Sequence, residues 1–295
     1  MRELTSDIRP LWNATIVDVL REFIKICDKY GLRWYCGGGT ALGAIRHKGI
    51  IPWDDDIDIN MPRPDYDRFL QICSECDLGN YEIITPYNTP NYPLHFSKLS
   101  CKSTTLLEED DKPCVIGLYI DIFPLDGTAA DIDEAYGLMQ RFQKLKNRLE
   151  AISTHNSFFN YIKLISRPKK WGRFVYKTIG FLCRNSYRCH LLKQMDSICR
   201  MYNYEDAERV ILYSGGYEKR DIYPKEWFDG NVFFEFENIQ VALPSSYDAY
   251  LSQLFGDYMT PPPPAERTQR HHKAWFDLDR RMTLDEVKDA IRHNG

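Results

Sequence analysis

Hydrophobic residues recur with two different periods along the chain, and these periods separate predicted helices from predicted strands. Residues 7–30 carry apolar side chains at helical spacing, and Gly31 suits the end of that helix. Further helices are predicted at 65–76 and between Pro244 and Gly256. Strands are predicted at 32–36, 81–85, 95–100, 115–123 and 209–214.

The middle and the end of the chain supply the remaining elements. Residues 131–204 have helical periodicity, and 232–243 alternate as a hairpin that turns at Glu237–Asn238. We therefore expect an α+β fold, a mixed-sheet core flanked by helices with a helical insertion. Its parts would be a core at 1–130, a basic helical region at 131–205, and a hairpin, helix and proline-rich tail at 206–295 packing back on the core.

Composition narrows the class of protein. The chain has 295 residues, 43% of them hydrophobic, and its net charge of −4 argues against nucleic-acid binding. No stretch approaches about 18 apolar residues, and the N-terminus lacks a signal-like run, so a cytoplasmic protein is expected. The nine cysteines are interpreted mainly as reduced core residues. A loose zinc-type cluster is the alternative for Cys183, Cys189, His190 and Cys199.

The densest chemistry lies between Trp34 and Arg68, where glycines, basic residues and aspartates follow one another. In a strand, Asp54, Asp56 and Asp58 would share one face, and Asp55 would point to the other. Carboxylates massed on one face repel each other unless a cation lies among them, and hard divalent ions prefer oxygen ligands. A solvated acidic turn is the alternative, but isoleucines surround the run.

The three glycines before this run suit a backbone that approaches a phosphate closely. Thr40 would cap the following helix and leave the amides of Gly38, Gly39 and Thr40 facing an anion. Arg46 and Lys48 would help to hold phosphates, although residues of a solvent-facing loop are the alternative interpretation. The glycine spacing matches neither a dinucleotide-binding fingerprint nor a P-loop.

A second strand, at 115–123, carries Asp121 in its middle. A carboxylate there is costly to bury without a partner, and the aromatic residues beside it argue against an exposed position. We expect Asp121 to lie across from Asp56 and Asp58, as a third metal ligand or the general base. Asp126 and Gly127 would then form a turn.

Three runs resemble the LicD family, which includes fukutin and fukutin-related protein. They are GGGTALGAIRHKGIIPWDDDIDINMPRPDYDRF, IDIFPLDG and PSSYDAYLSQLFGDYMTPPPP. The resemblance implies a nucleotidyltransferase-like fold and transfer of a phosphoalcohol from a CDP-linked donor to a glycan hydroxyl, with release of CMP. It implies that Asp56 and Asp58 are paired ligands of Mg²⁺ (or Mn²⁺), with Asp54 just outside them. It also brings Lys98, Arg267 and His271 near the donor phosphates.

Two features of the partners remain open. A choline headgroup would require an aromatic cage, for which Trp53, Tyr66, Tyr119 and Trp275 are candidates. Residues 151–195 contain nine Lys or Arg, no Asp or Glu, and many aromatic residues. This segment is either a helical cap with a basic outer face or a peripheral membrane contact at the inner face, serving a lipid-linked acceptor.

Two other functions remain as alternatives. A nucleotidyltransferase would transfer a nucleotide to a small molecule and release pyrophosphate, and the carboxylates alone do not distinguish it from a phosphoalcohol transferase. A catalytically inactive binding protein is disfavoured because all three expected aspartates are present.

Overall fold

The computed structural model describes residues 4–154, 171–267 and 273–294, with the backbone alone for 171–174, 176–184 and 294. Its helices are α1 (Arg9–Tyr30), α2 (Gly38–Arg46), α3 (Arg63–Glu75), α4 (Ile132–Ser153), α5 (Trp171–Cys199), α6 (Tyr247–Phe255) and α7 (Leu284–Asn294). Its strands are β1 (Tyr35–Cys36), β2 (Asp58–Pro62), β3 (Tyr81–Ile84), β4 (Ser97–Cys101), β5 (Thr105–Leu107), β6 (Val115–Ile116), β7 (Tyr119–Thr128), β8 (Arg209–Ile211), β9 (Ile222–Pro224), β10 (Asn231–Phe236), β11 (Ile239–Pro244) and β12 (Trp275–Asp277).

The central sheet has the strand order β1-β2-β7-β4-β3, and β8 and β9 continue it from the far half of β7. Strands β2 and β7 run parallel, whereas β4 pairs with β7 in the antiparallel sense. The sheet is therefore mixed and the predicted α+β fold is confirmed. Because β2 and β7 are neighbours, side chains from two distant parts of the sequence meet on one face.

The other face of the sheet belongs to the main hydrophobic core. Ile59, Ile120 and Ile122 are fully buried and join Phe23 of α1 and Phe69 of α3 in one cluster. The predicted first helix is confirmed, since its apolar stripe lies in this core. With one face filled by aliphatic side chains, the polar residues of β2, β4 and β7 are left on the opposite face.

The predicted strand at 115–123 is wrong in extent, because it is divided into β6 and β7. The division falls at Gly117, where a Cβ atom would lie 1.8 Å from the carbonyl oxygen of Cys101. The predicted turn at Asp126–Gly127 is also wrong. Both residues belong to β7, which continues to Thr128 and pairs with β8.

The helical region is built from α4 and α5, which pack against each other. They form a second hydrophobic cluster with Ile211 and Ile222 of β8 and β9. Among the described residues, no helix has both the length and the apolar composition that a membrane crossing requires. Much of the basic segment 151–195 lies outside the described residues, so its predicted membrane contact stays a prediction.

The C-terminal part of the chain packs against the main hydrophobic core. The predicted hairpin is confirmed as β10 and β11, with Glu237 in the left-handed region at φ 53°. The predicted helix that follows is α6, with Gly256 directly after it at φ +69°. Strand β12 pairs with β5, and this brings the segment after the prolines close to the acidic run.

Candidate active site

The three predicted carboxylates meet on the polar face of the sheet. Asp58 of β2 lies opposite Asp121 of β7 in the parallel register. One carboxylate oxygen from each of Asp56, Asp58 and Asp121 lies within 4.8 Å of the other two. Asp121 is 8% exposed, and Asp56 and Asp58 are half-buried. The structure thus brings together the residues that the sequence predicted as a metal site.

The electrostatics of this trio favour a bound cation. Burial raises the pKa of Asp58 well above its ordinary 3.8, and the charges of Asp56, Asp121 and Asp54 raise it further. Lys98 acts in the opposite direction. The donor set consists of carboxylate oxygens, which Mg²⁺ and Mn²⁺ prefer, so Asp56, Asp58 and Asp121 fit such an ion.

Lys98 is buried against this trio. Its Nζ lies 2.7 Å from Asp121 Oδ1 and 3.6 Å from Glu108 Oε1. It also lies 3.3 Å from the centroid of the Tyr119 ring. Burial alone would lower the pKa of Lys98, but Asp121 and Glu108 outweigh it and the pKa is raised. Lys98 was predicted to contact phosphate; in the structure its ammonium is engaged by carboxylates and holds Asp121.

The acidic run alternates as expected, although β2 begins only at Asp58. Asp55 points into the interior, where it forms an ion pair with Lys273, and its carbonyl oxygen accepts a hydrogen bond from Trp12 Nε1 at 2.9 Å. Asp54 faces outward beside Gly39, where a Cβ atom would lie 2.6 Å from Asp54 Oδ2. Glycine at 39 therefore allows the acidic run to approach α2 closely.

The glycine turn differs from the prediction in two ways. Helix α2 begins at Gly38 with Gly37 as its N-cap, so Thr40 is not the cap. The Thr40 hydroxyl instead accepts a hydrogen bond from the amide of Asp58 at 2.8 Å. The amide of Gly38 donates to the Tyr250 hydroxyl at 3.0 Å, which leaves it unavailable to phosphate. Gly39 lines a cleft beside Asp54.

Two clefts meet at the carboxylates. The first, which we call the Asp121 cleft, has a volume of about 470 Å³ and includes Lys98 and Tyr250 in its walls. The second, the Trp53 cleft, has a volume of about 400 Å³ and includes Asp54 and Arg46. Three residues line both: Asp56, Asp58 and Tyr217. Asp56 and Asp58 therefore stand on a ridge between the two cavities, and Asp121 lies on one side of it.

Of the other predicted basic residues, Arg46 and Arg267 lie at or beside the Trp53 cleft, and Lys48 lies farther away. Arg46 lines the Trp53 cleft and donates to the carbonyl oxygen of Tyr258 at 2.8 Å. The guanidinium groups of Arg46 and Arg267 lie 6.0 and 5.0 Å from the centroid of the Trp53 ring. Lys48 lies away from both clefts, exposed and 3.4 Å from Glu235 of the hairpin. His271 lies outside the described residues.

The residues proposed for an aromatic cage do not converge. Tyr119 lines the Asp121 cleft and Trp53 lines the other. Tyr66 is buried, with its hydroxyl 2.6 Å from Ser97 Oγ, and Trp275 lies in β12. Within the described side chains, the groups of three possible ligands are all aspartates, and the side chain of Cys183 is outside them, so no zinc site is described.

Two buried residues beside the clefts were missed by sequence reasoning. Tyr250 falls in the helix predicted between Pro244 and Gly256, for which no role at the site was predicted, yet its hydroxyl accepts a hydrogen bond from the amide of Gly38 and orders the glycine turn. Asp221 accepts hydrogen bonds from the amide of Tyr217 at 2.6 Å and from the Tyr223 hydroxyl at 3.1 Å. A Cβ atom at Gly215 would lie 2.2 Å from the Asp221 carboxylate, so glycine is needed there. In the sequence, the adjacent Gly215 and Gly216 were the signal that could have indicated a close approach of another residue at this point.

Comparisons with known proteins find a matching family model and several similar proteins. Residues 31–125 match the family model of the LicD/FKTN/FKRP nucleotidyltransferase domain. The chain is 28% identical over 278 residues to lipopolysaccharide cholinephosphotransferase LicD of Haemophilus influenzae, covering 92% of this chain and 97% of that protein. A stretch of 44 residues is 39% identical to human ribitol 5-phosphate transferase FKRP, covering 15% of this chain and 9% of that protein. The acidic ridge lies within the domain that matches the LicD/FKTN/FKRP model, and over nearly its whole length the chain is similar to a LicD protein.

Proposed function

We propose that this protein is a Mg²⁺-dependent transferase that moves a phosphoalcohol from a CDP-linked donor to a glycan hydroxyl and releases CMP. The observation that carries the proposal is the meeting of Asp56, Asp58 and Asp121 within 4.8 Å at the junction of two clefts. Relatives named as a cholinephosphotransferase and a ribitol 5-phosphate transferase support the reaction class.

In this proposal Asp56, Asp58 and Asp121 would hold the divalent ion, which would supply positive charge for the phosphate oxygens and for the incoming hydroxyl. The glycan oxygen forms a bond to the phosphorus that bears the alcohol, and Asp121 accepts the hydroxyl proton. The bond from that phosphorus to the bridging oxygen breaks, and this oxygen leaves with CMP. Lys98, 2.7 Å from Asp121 Oδ1, fixes the orientation of the base.

The direct test is a donor screen. The protein is incubated with Mg²⁺, a lipopolysaccharide fraction as acceptor, and CDP-choline, CDP-ethanolamine or CDP-ribitol in turn. We expect CMP release from at least one donor, and its loss on chelation. Failure of all three donors, with pyrophosphate released from CTP instead, would favour the nucleotidyltransferase alternative. That alternative is retained because the matched family model is described as a nucleotidyltransferase domain.

We also propose that the helical region contacts anionic headgroups and so brings the site to a lipid-linked acceptor. Support comes from an open groove between α4 and α5 that carries five basic side chains: Arg141, Lys144, Arg148, His190 and Lys193. Co-sedimentation should be stronger with vesicles containing phosphatidylglycerol than with phosphatidylcholine alone, and should weaken with salt. Binding that ignores both lipid charge and salt would contradict the contact.

A further inference from the structure

The two clefts differ in the charged groups that they offer to a ligand. Asp121, the candidate base, lines only the cleft named after it. Displacement at phosphorus requires the attacking and leaving oxygens to lie roughly in line, on opposite sides of the phosphorus. A phosphorus held at Asp56 and Asp58, on the ridge, would therefore have one cleft on its entering side and the other on its leaving side.

The basic residues of the Asp121 cleft are largely neutralised by carboxylates. Lys98 is paired with Asp121, and Lys112 Nζ lies 2.6 Å from Glu109 Oε1. Lys146 is the exception, since it forms no ion pair with another described residue. Glu150 and Asp221 add further acidic groups to the walls. This cleft suits a neutral, hydroxyl-rich ligand better than a free phosphate.

The Trp53 cleft also has carboxylates in its walls, Asp54 and Asp257, but it differs in how its basic groups are paired. Arg46 lines the cleft, and Arg267 lies beside it over the Trp53 ring. Neither Arg46 nor Arg267 forms an ion pair with a carboxylate within the described ranges. Arg46 donates hydrogen bonds to the carbonyl oxygen of Tyr258 and to His47, and Arg267 donates one to the carbonyl oxygen of Pro262. Burial lowers the pKa of Arg46, and the charge of Arg267 lowers it further. Two guanidinium groups that face one indole ring, and that pair with no carboxylate of the described residues, are well suited to a phosphate.

We propose that the two clefts divide the reactants: the acceptor hydroxyl enters from the Asp121 cleft, and the nucleoside monophosphate leaves into the Trp53 cleft. This inference rests on the proposed function and adds a direction to it. The entering oxygen bonds to the phosphorus that carries the alcohol, and its proton passes to Asp121. The bond to the bridging oxygen breaks, and that oxygen leaves as part of the CMP phosphate beside Arg46 and Arg267.

The test uses the full chain with Mg²⁺, and CMP as the probe. Titration calorimetry measures CMP binding to Arg46→Gln, Arg267→Gln and, from the other cleft, Lys146→Gln. Each arginine variant should weaken CMP binding by about 10- to 100-fold, as expected for loss of a charge-assisted hydrogen bond. Lys146→Gln should change it by less than about twofold. Arg68→Gln, which removes an exposed charge on α3 outside both clefts, is the control for activity and binding.

A second readout reports position directly. CMP should change the intrinsic tryptophan fluorescence of the protein, and Trp53→Phe should remove that change while the other tryptophans remain. Thermal melts of every variant verify folding, and Arg267 is exposed, so its replacement disturbs the fold least. The inference is overturned if Lys146→Gln weakens CMP binding while both arginine variants bind normally.

The two proposals can fail separately. Absence of CMP release from every CDP-linked donor by the unmodified protein would overturn the proposed function, and the direction inferred here with it. CMP release by the unmodified protein, combined with CMP affinity that depends on Lys146 and not on the arginines, would overturn the direction alone.

Discussion

Strand β7 carries two buried aspartates five residues apart, and they stand in opposite electrostatic situations. Asp126 is fully buried and accepts two hydrogen bonds from Arg63, at 2.5 Å from Nε and 2.9 Å from Nη2. Asp121 shares its surroundings with Asp56, Asp58 and Lys98. The first carboxylate is balanced within the fold, and the second belongs to a group with more negative than positive charge. Charge balance, more than burial, distinguishes Asp126 from Asp121, the acid that we propose to be functional.

The largest effect should come from removing charge at the ridge. In the double variant Asp56→Asn with Asp58→Asn, we expect CMP release to fall by about 10³-fold or more, because the carboxylates that would hold the ion are lost. The free energy of unfolding should stay the same or rise, since like charges no longer repel each other. Rates of CMP release and urea denaturation measure the two quantities. Unchanged turnover would remove the proposed site.

The balanced aspartate should respond in the opposite way. Arg63→Met leaves Asp126 buried without its partner, which should lower the free energy of unfolding by about 3–5 kcal/mol. Replacing both residues, Arg63→Met with Asp126→Leu, should recover much of that loss, because no charge is then left unpaired. Arg68→Met, an exposed change on the same helix, should stay within about 0.5 kcal/mol. A double variant as unstable as Arg63→Met would contradict the comparison.

Elements that depend on residues close together in the chain were predicted well from the sequence. The period of 7–30 predicted α1, and the Glu237–Asn238 turn predicted the hairpin, since both depend on residues close in sequence. The meeting of Asp121 with Asp56 and Asp58 was also predicted, from alternation along the strands and from the family resemblance. Parallel pairing of β2 with β7 is what turns these separate patterns into one site.

The features that were missed depend on contacts between distant residues. Asp126 was interpreted as part of a turn because its partner, Arg63, lies 63 positions away. The amide of Gly38 was expected to face phosphate, but Tyr250 reaches it from 212 positions away. The break at Gly117 comes from the approach of the Cys101 backbone. No local period carries such information, because each partner has an ordinary alternative role in its own segment.

Lys98 gives the acidic group around Asp121 part of the charge balance that Arg63 gives to Asp126. Lys98→Met should lower the free energy of unfolding by about 3 kcal/mol in the presence of a chelator, because Asp121 and Glu108 lose a buried cation. Saturating Mg²⁺ should narrow that difference, since a bound ion stabilises the folded state and would replace the missing charge. Urea denaturation of both proteins, with chelator and with Mg²⁺, measures the loss of stability under each condition. A difference that Mg²⁺ leaves unchanged would argue against an ion at this position.

Asp221 is another buried acid that can be compared with Asp121 and Asp126. It accepts hydrogen bonds from the amide of Tyr217 and the hydroxyl of Tyr223, and it forms no ion pair with another described residue. Burial raises its pKa from 3.8 to about 6. The folded state therefore binds a proton more tightly than the unfolded state, so the contribution to stability is greatest below about pH 4 and is lost as the pH rises to about 6. Over this window we expect a decline on the order of 2 kcal/mol.

Asp221→Asn should remove this dependence, because an amide does not ionise. The variant and the unmodified protein should differ little near pH 4, and the variant should gain relative stability as the pH rises towards 7, as measured by urea denaturation across that range. The gain should be smaller than the loss caused by Arg63→Met, since the Asp221 carboxylate keeps a backbone amide and a tyrosine hydroxyl as donors. Parallel pH profiles for the two proteins would show that folding leaves the pKa of Asp221 at its ordinary value. Such a result would contradict the effect of burial inferred for Asp221.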